Sequence, residues 1–195
     1  MNAATQYNGL VLLNGYLQRL YVFEKTKGIL NNGAFNVEKI DIITQQLKKV
    51  LEIAEVFNSK KSLDEPNKNS LLEIAHIAEE LCEEYKNEMI KSNSFKEELA
   101  VTASAIYAEE HINNGIIQMG ELFNPEVKDR FMQHILYYRD RVALVNFVVQ
   151  KESEGEEILQ KDKEQIVTWY NQTIQNAQYI SKDFESIKEY LQLST

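Results

Sequence analysis

Three groupings of side chains along the chain have residue types and spacings that could do chemistry. The first is Glu73-Ile-Ala-His76. An E-x-x-H spacing puts a carboxylate and an imidazole one turn apart on a helix. Four-helix carboxylate bundles use two such motifs, with two further Glu, to hold a pair of metal ions. Here there is one: the residues three places before His111 and His134 are Ala108 and Phe131. On a wheel of about 100° per residue, Glu73, His76 and Glu80 fall opposite the apolar stripe Leu71, Ala75, Ala78, Cys82, Tyr85 and Met89. They are expected to face water, and no metal or other cofactor is expected.

The second grouping survives the same angular test. Glu109 and Asn113 fall within a stripe of Ala105, Ile106, Ile112 and Ile116, and His134 and Arg141 flank a stripe of Phe131, Tyr138, Val142 and Val145. A helical hairpin turning near Phe123 and Asn124 would set Asn113 level with His134 and Glu109 level with Tyr138. Arg141 would then stand within one turn of Glu109. A charge on a core face needs a partner, because burying it alone is costly. The expectation is a polar layer of Glu109, Asn113, His134, Tyr138 and Arg141, with Glu109 ionised and paired to Arg141. Such a layer either fixes helix register or walls a ligand pocket.

The third is an acidic band, Glu79, Glu80, Glu83, Glu84 and Glu88. Bands of this kind are ordinarily solvated surface. The sharper reading is a docking patch for a basic protein. The band lacks the glycine and the ligand spacing of a calcium loop.

Other chemistries find no support. Phosphate-binding glycine loops, the nucleophile elbow and C-x-x-C are absent. The one cysteine, Cys82, excludes an intrachain disulfide. It sits among apolar neighbours and is followed by Glu83 and Glu84, a poor setting for a thiolate. With 21 Lys and Arg against 30 Asp and Glu, the net charge is −9. That argues against nucleic-acid binding, which needs clustered cations. The most apolar stretch, Leu10 to Phe23, is interrupted by Asn14, Gly15, Gln18 and Arg19. It is short of the ~20 residues that span a bilayer and does not resemble a signal peptide. A cytoplasmic location is expected, although an exported form with its leader removed would read the same.

The elements that must position these groups are helices. Seven glycines and two prolines in 195 residues are too few for a turn-rich β fold. About six helices account for the chain. The first, roughly Gln6 to Lys25, is apolar on several faces and expected to be central, with Gly9 and Gly15 admitting a close neighbour. The second follows an Asn36 cap, with the seam Ile40, Ile43, Leu47, Val50, Ala54, Phe57. A polar, mobile loop from Ser59 to Asn69 precedes a third helix opened by a Ser70/Glu73 capping box. The fourth opens with Ser94/Glu97 and runs towards Leu122, with a kink or split at Asn113-Asn114-Gly115. The fifth starts at Asn124-Pro125 and runs to about Glu152. A long final helix, continuous or restarted at Asp162, carries Ile166, Tyr170, Thr173, Ala177, Ile180, Phe184, Ile187 and Leu191.

The fold expected is therefore an all-α, up-and-down antiparallel bundle forming a single domain over residues 1–195. The leading functional expectation is a non-enzymatic helical interaction protein: an adaptor, an immunity-type inhibitor or a mobile-element or phage accessory factor. Its partner would be a protein, in one version a basic one, with homo-oligomers allowed. The alternatives are a small-molecule-binding or catalytic bundle built on the polar layer, and a structural subunit of a larger assembly.

Overall fold

The computed structural model describes residues 2–123 and 127–193, with backbone only for 119–123 and 127–132. Helix follows helix: α1 (Asn2–Leu30), α2 (Val37–Lys60), α3 (Glu65–Ile90), α4 (Phe95–Phe123), α5 (Val127–Glu154), α6 (Gln160–Asn176) and α7 (Ile180–Gln192). A single 3₁₀ turn, Ala177–Tyr179, separates α6 from α7, so the final seam is one sequence pattern carried by two helices.

Apolar residues all round α1 have the expected consequence. The helix is the axis of the bundle, with α2, α3, α4, α5 and α7 packed about it. Leu13 and Leu17 are wholly inaccessible. The closest approach is between α1 and α4, and glycines permit it. A Cβ on Gly15 would overlap the Ile112 side chain, and one on Gly115 would come within 2.7 Å of Val11. Gly9 likewise lies against Tyr190 and Leu191 of α7. Asn113-Asn114-Gly115 does not split α4. The glycine serves close packing, and the i→i−4 ladder runs on through it.

Two other boundaries differ from expectation. α1 continues a further turn to Leu30, because Gly28 leaves room for the Phe35 ring, and the chain leaves the helix through Asn32 and Gly33 at positive φ. α3 begins at Glu65 rather than after Ser70. Asp64 caps it by accepting from the Asn67 N–H at 3.0 Å, and Pro66 stands in the first turn, where a missing N–H costs nothing. The expected long loop is thus reduced to a few residues. The Asn36 cap, the Ser94 cap and the Gly155 stop are present as read. The cap expected at Asn124-Pro125 lies outside the described residues.

From α1 to α6 successive helices alternate in direction, and α7 continues on from α6 through the 3₁₀ turn. Two further contacts are parallel. α4 lies beside α6, with Thr102 over the Ile166 carbonyl. α1 lies beside α3, with Phe23 edge-on to Tyr85 at 4.7 Å. All eight seam residues of α6 to α7 are buried, as is the whole α3 stripe. The 3₁₀ turn lets α6 face α4 while α7 crosses to α1 and α3. Among the described residues, no helix is long and apolar enough to cross a membrane.

Candidate functional site

The expected Glu109–Arg141 contact forms. Arg141 Nη1 donates to Glu109 Oε2 at 3.2 Å across the α4–α5 hairpin. Tyr107 donates to Asn146 one turn further along, which fixes the antiparallel register. The guanidinium is more deeply placed than its partner: Arg141 keeps 13% of its side chain exposed and Glu109 keeps 45%. Arg141 is also sandwiched by aromatic rings, 4.7 Å from the Trp169 centroid on α6 and 5.3 Å from that of Tyr137. Tyr138 stands in the same neighbourhood. Its phenol is pushed up by burial and by the Glu109 charge. Asn113 is half-buried, with an amide nitrogen that has no hydrogen-bond partner among the described residues. His134 is exposed. The layer is therefore a Glu109–Arg141–Tyr138 centre at the bundle's edge, with Trp169 added by α6.

Behind Glu109 the structure opens a cleft of about 170 Å³ between α1, α4, α6 and α7. Leu12, Ala105, Ala108 and Ile112 give it an apolar wall, and Tyr16, Arg19, Glu109, Thr173, Asn176 and Asp183 supply polar groups. The 3₁₀ turn falls between Asn176 and Asp183, so both borders of the helix break contribute to the lining.

Arg19 is the central feature. Its side chain is half-buried and lines the cleft. A directed chain of hydrogen bonds holds it. Ser104 Oγ donates to the Val101 carbonyl at 2.7 Å, so the Tyr85 hydroxyl must donate to Ser104 Oγ at 2.8 Å. Tyr85 is then free to accept from Arg19 Nε at 3.1 Å. The same ring lies 5.1 Å below the guanidinium carbon. One edge of the fork is spent on this support. The ion pairs among the described residues include Glu109 with Arg141 but none with Arg19. One turn before Arg19 on α1, the Tyr16 hydroxyl donates to Asp183 Oδ2. Burial and the Asp183 charge both hold the Tyr16 phenol neutral. Burial raises the Glu109 carboxyl above its ordinary value, against the opposing pull of Arg141 and Arg19.

Sequence reasoning missed Arg19, Tyr16, Asp183 and Trp169. A signal existed for the first: a cation in the middle of the chain's most apolar stretch, on the helix expected to be central, needs a reason to be there. Asp183 gave none, being one more acid beside a seam position.

A wider groove, about 390 Å³, lies between α1, α2 and α4. There Asn14 Nδ2 meets His111 Nε2 at 2.6 Å, and burial lowers the His111 pKa. Its polar groups include Glu55, which is exposed. Among the described residues, no buried charge lines it.

The acidic band is largely engaged within the molecule. Lys188 of α7 pairs with Glu79, Ser181 donates to Glu83, Lys39 of α2 pairs with Glu84 at 2.9 Å, and Lys27 of α1 with Glu88 at 2.7 Å. Glu80 stands near the exposed His76. Cys82 is buried and its thiol is pushed up to about 12 by burial, so it is not a nucleophile. Among the described residues, no group of three or more His, Cys, Asp or Glu is placed to hold a metal ion. No protein-family model matches the chain, and no curated protein and no solved structure matches it significantly.

Proposed function

We propose that this bundle binds a small, carboxylate-bearing molecule in the cleft around Arg19. The carrying observation is a half-buried guanidinium, aimed by Tyr85 and Ser104, without a carboxylate ion pair among the described residues and lining a cleft of ligand size. A buried cation is expensive unless it is paired, and a planar fork with unused N–H groups suits a carboxylate. A cavity of ~150 Å³ accommodates a molecule the size of benzene, so the occupant has up to roughly ten non-hydrogen atoms. The apolar wall of Leu12 and Ile112 would receive its hydrocarbon part.

Isothermal titration calorimetry with acetate, propionate and butyrate tests the reading. Binding of at least one, weakened by Arg19→Gln in a protein whose circular dichroism is unaltered, supports it. Equal binding by the variant refutes it, as does failure of every small carboxylate, with or without an amino group.

Docking of a protein partner is a second reading, favoured by the outer face of α5. Leu136, Tyr137 and Phe147 are each about half exposed there, and exposed apolar patches mark interaction surfaces. The acidic band supports this reading less, since lysines of the same chain already occupy much of it. A partner using α5 would be lost on Leu136→Asp, with carboxylate binding unaffected. A reducing, cytoplasmic setting would suit the free, buried thiol of Cys82.

A further inference from the structure

Building on the carboxylate reading of the Arg19 cleft, we infer that its ligand is an amino carboxylate, with its carboxylate on Arg19 and its ammonium between Asp183 and Glu109. Three charged side chains line one small cleft: one cation from α1 and two carboxylates, from α4 and α7. Each is held by a bond that uses part of its hydrogen-bonding capacity, Arg19 and Glu109 by residues outside the cleft and Asp183 by Tyr16 on the cleft wall. Arg19 gives Nε to Tyr85, Glu109 uses Oε2 for Arg141, and Asp183 uses Oδ2 for Tyr16. The second oxygen of each carboxylate accepts no hydrogen bond from the described residues. The support bonds therefore orient the three heads and leave donors and acceptors over, which is the arrangement of a preorganised site.

Charge balance points the same way. Arg141 compensates Glu109 at the rim, which leaves Arg19 and Asp183 as the other two charges of the lining, with no ion pair between them among the described residues. A simple anion would satisfy Arg19 but would also bring a negative charge towards Asp183 and Glu109. A simple amine would meet the converse problem at Arg19. A zwitterion satisfies both ends and adds no net charge to a partly dehydrated site, where an uncompensated charge is most costly. Thr173 and Asn176 add neutral polar groups to the lining, and the apolar wall takes the connecting carbons. The cleft volume suits a molecule with a short carbon chain between its two charged ends.

The test is calorimetry on the intact protein with matched probes: butyrate, butylamine, and the amino acids glycine, alanine, 3-aminopropanoate and 4-aminobutyrate. At least one amino acid should bind roughly 10- to 100-fold more tightly than butyrate, as expected when a charged group gains or loses its hydrogen-bonded partner. Asp183→Asn should remove most of that advantage while leaving butyrate binding unchanged or improved. Asn keeps an acceptor for the Tyr16 hydroxyl, so the fold should survive. If circular dichroism shows otherwise, Glu109→Gln on the half-exposed rim provides the same comparison. Butyrate binding as tightly as every amino acid overturns the zwitterion and leaves the carboxylate site standing. An amino-acid advantage untouched by the carboxylate variants also overturns it. Failure of all the probes overturns both.

Discussion

Replacing Arg141 with Met removes an ion pair and two aromatic contacts together, and a double-mutant cycle with Glu109→Gln separates them. A fully desolvated pair that loses one partner costs about 3–5 kcal/mol. The geometry here predicts much less. At 3.2 Å the pair is in hydrogen-bond contact, but Glu109 keeps 45% of its side chain exposed. A stranded Glu109 carboxylate would be rehydrated rather than left in an apolar interior. The coupling energy should therefore be on the order of 1 kcal/mol, near the upper end for solvent-screened pairs. Arg141→Met should cost more than Glu109→Gln, because it also removes the stack on Trp169 and Tyr137, worth about 0.5–2 kcal/mol. The assay is urea denaturation of the four proteins at 25 °C, repeated at low and high salt. High salt should shrink the coupling and leave the larger cost of Arg141→Met in place. Strict additivity would mean that the two groups do not interact. A coupling of ~3 kcal/mol or more would mean that the edge of the bundle is far drier than its exposure indicates.

Gly15→Ala should lower stability by about 1–3 kcal/mol through overpacking against Ile112, and Ile112→Ala in the same chain should recover part of the loss; thermal melts of the three variants check this. Phe184→Asp places a charge at a fully buried position beside the Tyr16 ring, 4.9 Å away. It should cost several kcal/mol, of the order that unfolds a marginal domain, and an unchanged melting midpoint would refute the seam. The lowered pKa of His111 means that the unfolded chain binds a proton more readily than the folded one. Stability should therefore fall as pH drops through the ordinary histidine range, with a contribution no steeper than about 1.4 kcal/mol per pH unit, and be unaffected at higher pH. The difference between wild type and His111→Gln across pH 4 to 8, measured by urea melts, should show this slope. A flat difference would show that the ring titrates normally.

The helices and their buried faces were legible in the chain because helical period alone decides them. The α3 stripe from Leu71 to Met89 and the eight-residue seam from Ile166 to Leu191 are buried as read, since apolar side chains three and four places apart share one face whatever that face meets. The Glu109–Arg141 contact was legible for a related reason: a hairpin of two helices has few registers, and one of them sets these two opposite charges level, although Glu109 stays 45% exposed and the pairing is not enforced by burial. Local reading went astray where two signals compete. Ser70/Glu73 forms a plausible cap, yet Asp64 with Pro66 caps the chain earlier, and only the preceding helix's end decides between them. Gly115 reads as a breaker and turned out to be a close-packing position. The cleft was beyond sequence altogether. Arg19 and Asp183 are 164 positions apart, and what brings them to one cavity is the 3₁₀ turn at Ala177–Tyr179, which carries α7 across α1. Periodicity fixes which face of a helix is buried; which helices share that burial, and where they leave a gap, depends on packing volumes summed over the whole chain.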